Sequence, residues 1–211
     1  MLYYVSRVVF ELLLRLLTKL HICGREHLPE APFILASNHA SILDPPLAGI
    51  ACKKYRVDFM AKKELFERPI FSRWARGVGC IEVKRNSVSA GSLKEAIRRL
   101  KNGHVIGMFP EGTRAVDGNL QNAKRGTGFL IDKADVPVVP CYIGGSGEAF
   151  PKGGGIKLWS RIDVALGEPI FQSEFTGKDE RGGTDYEMIS NLVMARIGSL
   201  KESVENKRNK V

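Results

Sequence analysis

Cysteine is scarce in this 211-residue chain: Cys23, Cys52, Cys80 and Cys141 are the only four, and they lie far apart. That spacing offers neither a zinc site nor a disulfide framework, so free thiols in a reducing compartment are expected and no metal is. Long uncharged apolar runs are missing too. The most hydrophobic stretch, Leu2 to Leu20, is interrupted by Arg7, Glu11, Arg15 and Lys19, which argues against a transmembrane span, and it does not end in the small-residue cleavage site of a signal peptide. No Gly-Lys-Ser/Thr loop and no Gly-x-Gly-x-x-Gly turn follows a strand, so a nucleotide cradle is excluded. Gly144-Gly145-Ser146-Gly147-Glu148 misses the Gly-x-Ser-x-Gly nucleophile elbow at its last position, which disfavours a serine hydrolase. The glycine-rich segment 144–155 reads instead as a mobile surface loop.

What is present is a regular alternation. Strands are predicted near Phe33 to Ser37, Val57 to Ala61, Cys80 to Val83, Val105 to Phe109 and Val138 to Ile143, between helical stretches such as Ser89 to Leu100 and Gly126 to Ala134. Such alternation implies right-handed crossovers and an α/β fold: a single domain with a mostly parallel mixed sheet flanked by helices. Residues Ile156 to Leu166 could add edge strands, and Asp185 to Glu205 read as a carboxyl-terminal helix. With 44% hydrophobic residues and no repeat or linker, residues 23–205 are expected to form this one domain, preceded by an amphipathic helix over residues 1–22 and followed by a disordered polar tail, residues 206–211.

Two constellations carry chemistry. In Asn38-His39-Ala40-Ser41-Ile42-Leu43-Asp44, His39 is a candidate base and Asp44 a carboxylate able to fix its tautomer and stabilise the imidazolium. Five positions on one helix would leave them about 140° apart in azimuth. Pro45 and Pro46 resolve this, because proline favours a helix's first turn: Asp44 is expected as the N-cap, with His39 on a loop folding back to it. Asp44 acting as a cap alone is the bland alternative. His39 follows the apolar run Pro32 to Ala36, hence the carboxyl end of a buried strand, where sites form in open α/β sheets. The second constellation, Phe109-Pro110-Glu111-Gly112-Thr113-Arg114, leaves the carboxyl end of the strand predicted over His104 to Phe109. Gly112 permits close backbone approach, Arg114 offers a planar fork for phosphate oxygens, and Glu111 can accept from a hydroxyl or hold an arginine. The alternative is a tight loop stapled by a Glu111–Arg114 pair.

These two motifs together resemble the glycerolipid acyltransferases, and among them the 1-acyl-glycerol-3-phosphate (lysophosphatidic acid) acyltransferases. Gly79-Cys80-Ile81-Glu82-Val83-Lys84-Arg85 matches the block between them, and Val136-Pro137-Val138-Val139-Pro140 the block after them. The four blocks span residues 38–140, about half the chain. Glu82, in place of an aromatic or aliphatic residue, and Ala115, often serine, depart from the pattern. The resemblance implies transfer of an acyl group from an acyl-CoA or acyl carrier protein thioester to a glycerol hydroxyl, with no bound cofactor and no acyl-enzyme. It implies His39 as general base with Asp44 as its partner, and Arg85, Glu111, Gly112, Thr113 and Arg114 as the binding set for the phosphorylated glycerol. Lys124 resembles a basic position often found beyond the third block. Acylation of another lysophospholipid or amino-lipid is the nearest alternative, and a non-catalytic lipid-binding module is an alternative of a different class.

Charge is uneven. Residues 1–101 hold 18 Lys and Arg against 9 Asp and Glu, whereas residues 102–211 hold 14 of each, so the net +9 lies in the first half. Nucleic acid is the usual partner of a basic chain, but no nucleic-acid motif accompanies these residues, and basic side chains interleave with apolar ones in Phe66 to Arg76. An anionic membrane surface is the expected partner. The helix Leu2 to Leu20, with its narrow polar stripe, is expected to lie in the headgroup region on the cytoplasmic face of the membrane, making the protein monotopic or peripheral. Simple packing of that helix on the domain is the competing expectation.

Overall fold

A computed structural model describes residues 1–83, 90–115, 118–151, 153–177 and 182–209. Helix α1 (Leu2–Leu17) leads into strand β1 (Lys19–Cys23), then β2 (Ile34–Ser37), α2 (Asp44–Ala51), β3 (Val57–Lys62), α3 (Lys63–Phe66), α4 (Pro69–Gly77), β4 (Ile81–Val83) and α5 (Ala90–Lys101). There follow β5 (Val105–Met108), α6 (Arg125–Ala134), β6 (Val138–Gly144), α7 (Ser146–Ala149), β7 (Arg161–Leu166) and α8 (Tyr186–Arg208). The strands form one seven-stranded sheet of order β1-β7-β6-β2-β5-β3-β4, parallel throughout except where β6 meets β7.

β2, β5 and β6 are buried along their whole lengths, as suits parallel strands covered on both faces. Alternate side chains divide the core. Ile34, Ile106 and Val138 pack with Leu130, Val193 and Ile197 of α6 and α8, while Phe33, Leu35 and Val139 pack with Leu14 of α1 and Leu47 and Ile50 of α2.

Four expectations change at the periphery. The first helix stops at Leu17 instead of Leu20: Thr18 takes an extended backbone and its Oγ1 donates to the Leu14 carbonyl at 2.6 Å. Residues 19–23 then alternate in exposure and pair with β7, so they belong to the sheet and not to the helix. Within Ile156 to Leu166 only Arg161–Leu166 is a strand, and it lies one place in from the edge. The tail expected to be disordered continues α8 as far as Arg208, whose Nε donates to buried Asp163 at 2.5 Å. Within the stretch expected as a mobile loop, Ser146–Ala149 forms a short helix whose Ser146 and Ala149 are fully buried.

α1 docks by one side. Tyr3 Oη accepts from Val57 N at 3.0 Å, Ser6 Oγ accepts from Trp74 Nε1 at 3.0 Å, and Arg7 donates to the Lys53 carbonyl. The side bearing Tyr3, Ser6 and Arg7 therefore lies against the domain, while Arg15 stays exposed and pairs with Glu11 of the same helix, and Leu2, Tyr4, Val5, Val8, Val9, Leu12, Leu13 and Leu16 are exposed. No helix among the described residues is long and apolar enough to cross a membrane.

Candidate active site

β2 and β5 are adjacent parallel strands, with Ile34 beside Ile106 and Ala36 beside Met108. Both chemistry-bearing motifs therefore leave the same edge of the sheet, side by side, as sites at strand carboxyl ends require. Asn38 fixes the first of them: its Nδ2 donates to the Ile143 carbonyl at 2.9 Å and its Oδ1 accepts from Ile143 N at 2.7 Å. This side chain continues the β2–β6 ladder for one more step, so His39 starts from a rigid point.

His39 Nδ1 lies 2.8 Å from Asp44 Oδ2. A carboxylate only accepts, so Nδ1 carries the proton and Nε2 is left as the basic nitrogen. The same Oδ2 accepts from Ala40 N and Ser41 N, both at 2.7 Å, which closes the loop between the two residues. Asp44 is itself the first residue of α2, and Leu43 occupies the N-cap. The expected capping by Asp44 fails for a covalent reason. An N-cap side chain bonds the N–H of the second or third helical residue. Pro45 and Pro46 have no N–H, and Leu47 N is taken by the Leu43 carbonyl at 3.0 Å. The carboxylate turns back toward His39 and is completely buried, its Oδ1 without a protein partner among the described residues.

The third motif wraps the histidine backbone. Ala115 N donates to the His39 carbonyl at 2.7 Å, and His39 N approaches Glu111 Oε1 at 3.4 Å. Glu111 is 1% exposed, lying beneath the loop, and it does not pair with Arg114. Burial pushes its carboxyl up to about 7; hydrogen bonds from the backbone N–H groups of His39 and Gln121 act against this, and the Asp44 charge adds to it. Gly112 turns the chain with φ +70°, and Lys124 N closes the loop onto the Pro110 carbonyl at 2.8 Å.

Arg114, Thr113 and Lys124 are exposed on that loop surface, and the two cations have no ion-pair partner among the described residues. Arg85 lies outside the described residues. Glu82, the departure from the family pattern, is on the outer strand β4, near Arg76 at 3.6 Å. A cleft of about 430 Å³ opens between α4, β4 and α5, but its cations Arg76 and Arg99 are already paired with Glu82, Glu95 and Asp58.

Sequence reasoning missed two parts of this site. One is the Asn38 clamp, whose partner is over a hundred residues away. The other is Phe109, which stacks on the His39 ring with centroids 4.0 Å apart and 16° between planes. Together the base, its buried carboxylate and the exposed cations can take a proton from a hydroxyl beside a bound anion.

A profile of the family described as Acyltransferase matches residues 19–144, from β1 to the end of β6. The chain belongs to this acyltransferase family. It is 30% identical over 158 residues to the 1-acyl-sn-glycerol-3-phosphate acyltransferase of Bacillus subtilis, covering 73% of this chain and 75% of that one. With the enzyme of the same description from Streptococcus pneumoniae it shares 29% identity over 178 residues, 84% of this chain and 63% of that one. The crystal structure of the 1-acyl-sn-glycerophosphate (LPA) acyltransferase PlsC from Thermotoga maritima superposes with a TM-score of 0.71 at 28% identity, over 95% of this chain and 78% of that one. The expected α/β fold, the acyltransferase resemblance and the enzymatic class all stand.

Proposed function

We propose that the enzyme transfers a fatty acyl group from an acyl thioester to the free hydroxyl of 1-acyl-glycerol-3-phosphate, producing phosphatidic acid for phospholipid biosynthesis. The observation that carries this reading is the His39–Asp44 dyad, at 2.8 Å, beside a loop that presents Arg114 and Lys124 without an ion-pair partner among the described residues. His39 Nε2 takes the hydroxyl proton as the oxygen adds to the thioester carbonyl carbon. The carbon–sulfur bond then breaks, and the imidazolium returns its proton to the departing thiolate. No side chain is acylated. Asp44 orients the ring and supports its charge. Arg114, Lys124 and, by the family pattern, Arg85 hold the phosphate, with Gly112 and Thr113 shaping the loop around it. Glu111 acts from beneath, tying that loop to His39.

The thioester is acyl-CoA or acyl-acyl carrier protein; the basic first half suits either anionic carrier. The enzyme works at an anionic membrane surface on the cytoplasmic side, held peripherally by the outer face of α1, because its acceptor resides there. The test is an assay of purified protein with labelled acyl-CoA and acyl-acyl carrier protein against lysolipids with and without a free phosphate. Rapid acylation of lysophosphatidic acid and little of its dephosphorylated counterpart is expected. Indifference to the phosphate, or preference for another head group, overturns the acceptor assignment.

A further inference from the structure

The imidazole of His39 is confined on nearly every side. Its Nδ1 edge is held by Asp44 of α2, and its backbone by Glu111 and Ala115 of the loop after β5. One ring face is covered by Phe109, nearly parallel, with centroids 4.0 Å apart. Phe109 is in turn backed by Phe59 of β3, at 5.8 Å and 17°. The stack is built into the sheet: Phe59 pairs in register with Gly107, and a Cβ at Gly107 would come within 2.3 Å of the Phe59 ring. Glycine at that position leaves the space the Phe59 ring occupies beneath Phe109.

We propose that Phe109 is a positioning residue for the general base, whose π face holds the imidazole in plane and stabilises the charge it acquires as the proton is transferred. The inference rests on the reading of His39 as the base. The physical ground is differential. A neutral imidazole gains packing from the stack, whereas an imidazolium over the negative face of an aromatic ring gains electrostatic attraction as well, within the roughly 6 Å range of cation–π contacts. An interaction stronger in the charged transition state than in the ground state raises turnover and not affinity.

The test replaces Phe109 with a series of ring-fluorinated phenylalanines, which keep the aromatic shape while draining the face of electron density, and with leucine. Turnover is expected to fall stepwise with fluorination, roughly three- to tenfold at the pentafluoro ring and about tenfold for Phe109→Leu, with KM unchanged for both substrates. Equal turnover across the series, or a loss carried in KM, overturns the proposal. If Phe109→Leu fails to fold, the fluorinated series still decides, since it preserves packing. His39→Ala separates the two failures: near-normal activity there removes the base and this inference with it, whereas an inactive His39→Ala beside a flat fluorination series overturns the stack alone.

Discussion

At the scale of single residues, Asp44 does two jobs through one oxygen. Its Oδ2 closes the loop by accepting from Ala40 and Ser41, and it also holds His39. Asp44→Asn keeps an acceptor for the loop but removes the charge that supports the imidazolium. Turnover should fall by less than the 10²- to 10⁴-fold typical of losing a general base, with melting temperature little changed; steady-state kinetics beside a thermal melt check both, and wild-type turnover would leave Asp44 as a tie for the loop only. Glu111 offers a second prediction. Its folded carboxyl titrates near 7, above the ordinary 4.5, so between those values the folded chain holds a proton that the unfolded chain has released. That contribution is complete below about 4.5 and lost as the pH rises through 7, amounting to about 3 kcal/mol. Glu111→Gln, with no charge to bury, should flatten the decline, so that its advantage over wild type in urea melts is larger at pH 8 than at pH 5; parallel pH profiles would contradict this. The His39–Asp44 pairing was legible in the sequence because two prolines fixed where the helix begins. The depth of Glu111 was not, because Pro-Glu-Gly reads as a surface turn until Ala115 is seen to fold over it.

At the scale of elements, the parallel strands were legible because burial on both faces makes them continuous apolar runs, as in Phe33 to Ala36 and Val105 to Met108. β1 was not, because Lys19 to Cys23 extend the apolar pattern of α1 and only the Thr18 bond to Leu14 marks the break. Equally hidden was the charge cluster at the amino ends of β3 and β5. Asp58 is fully buried and meets Arg56 at 2.7 Å, Arg99 at 2.6 Å and His104 at 3.1 Å. These residues come from separate elements, and no spacing in the sequence announces them. The cluster lies at the opposite edge of the sheet from His39, so it locks β3, β5 and α5 without touching the reaction. Asp58→Ala removes the carboxylate shared by Arg56, Arg99 and His104, although Arg99 keeps Glu95 at 2.8 Å, and is predicted to destabilise the fold by about 2 kcal/mol, while turnover per folded molecule at low temperature stays near wild type. A urea titration and an activity assay on the same sample measure both; selective loss of turnover would place the cluster in the chemistry.

At the scale of the whole molecule, the sheet brings the dyad and the cations to one edge, and α1 turns a row of apolar side chains outward. Val8, Leu12 and Leu16 are 48%, 64% and 66% exposed; replacing them with glutamine should release the protein from anionic vesicles in a flotation assay with little change in stability, as for other surface substitutions. Retention on vesicles would move the membrane contact elsewhere. That this helix packs by one side was legible in its amphipathic pattern, but only the three-dimensional placement of Tyr3, Ser6 and Arg7 shows which side faces the domain. The central claim is that His39 takes the proton of a lysophosphatidic acid hydroxyl. Its most direct test compares His39→Ala with wild type, measuring phosphatidic acid formed from labelled acyl thioester together with binding of lysophosphatidic acid. The account predicts loss of nearly all product with lysolipid binding and fold retained; near-normal phosphatidic acid synthesis by the variant would contradict it.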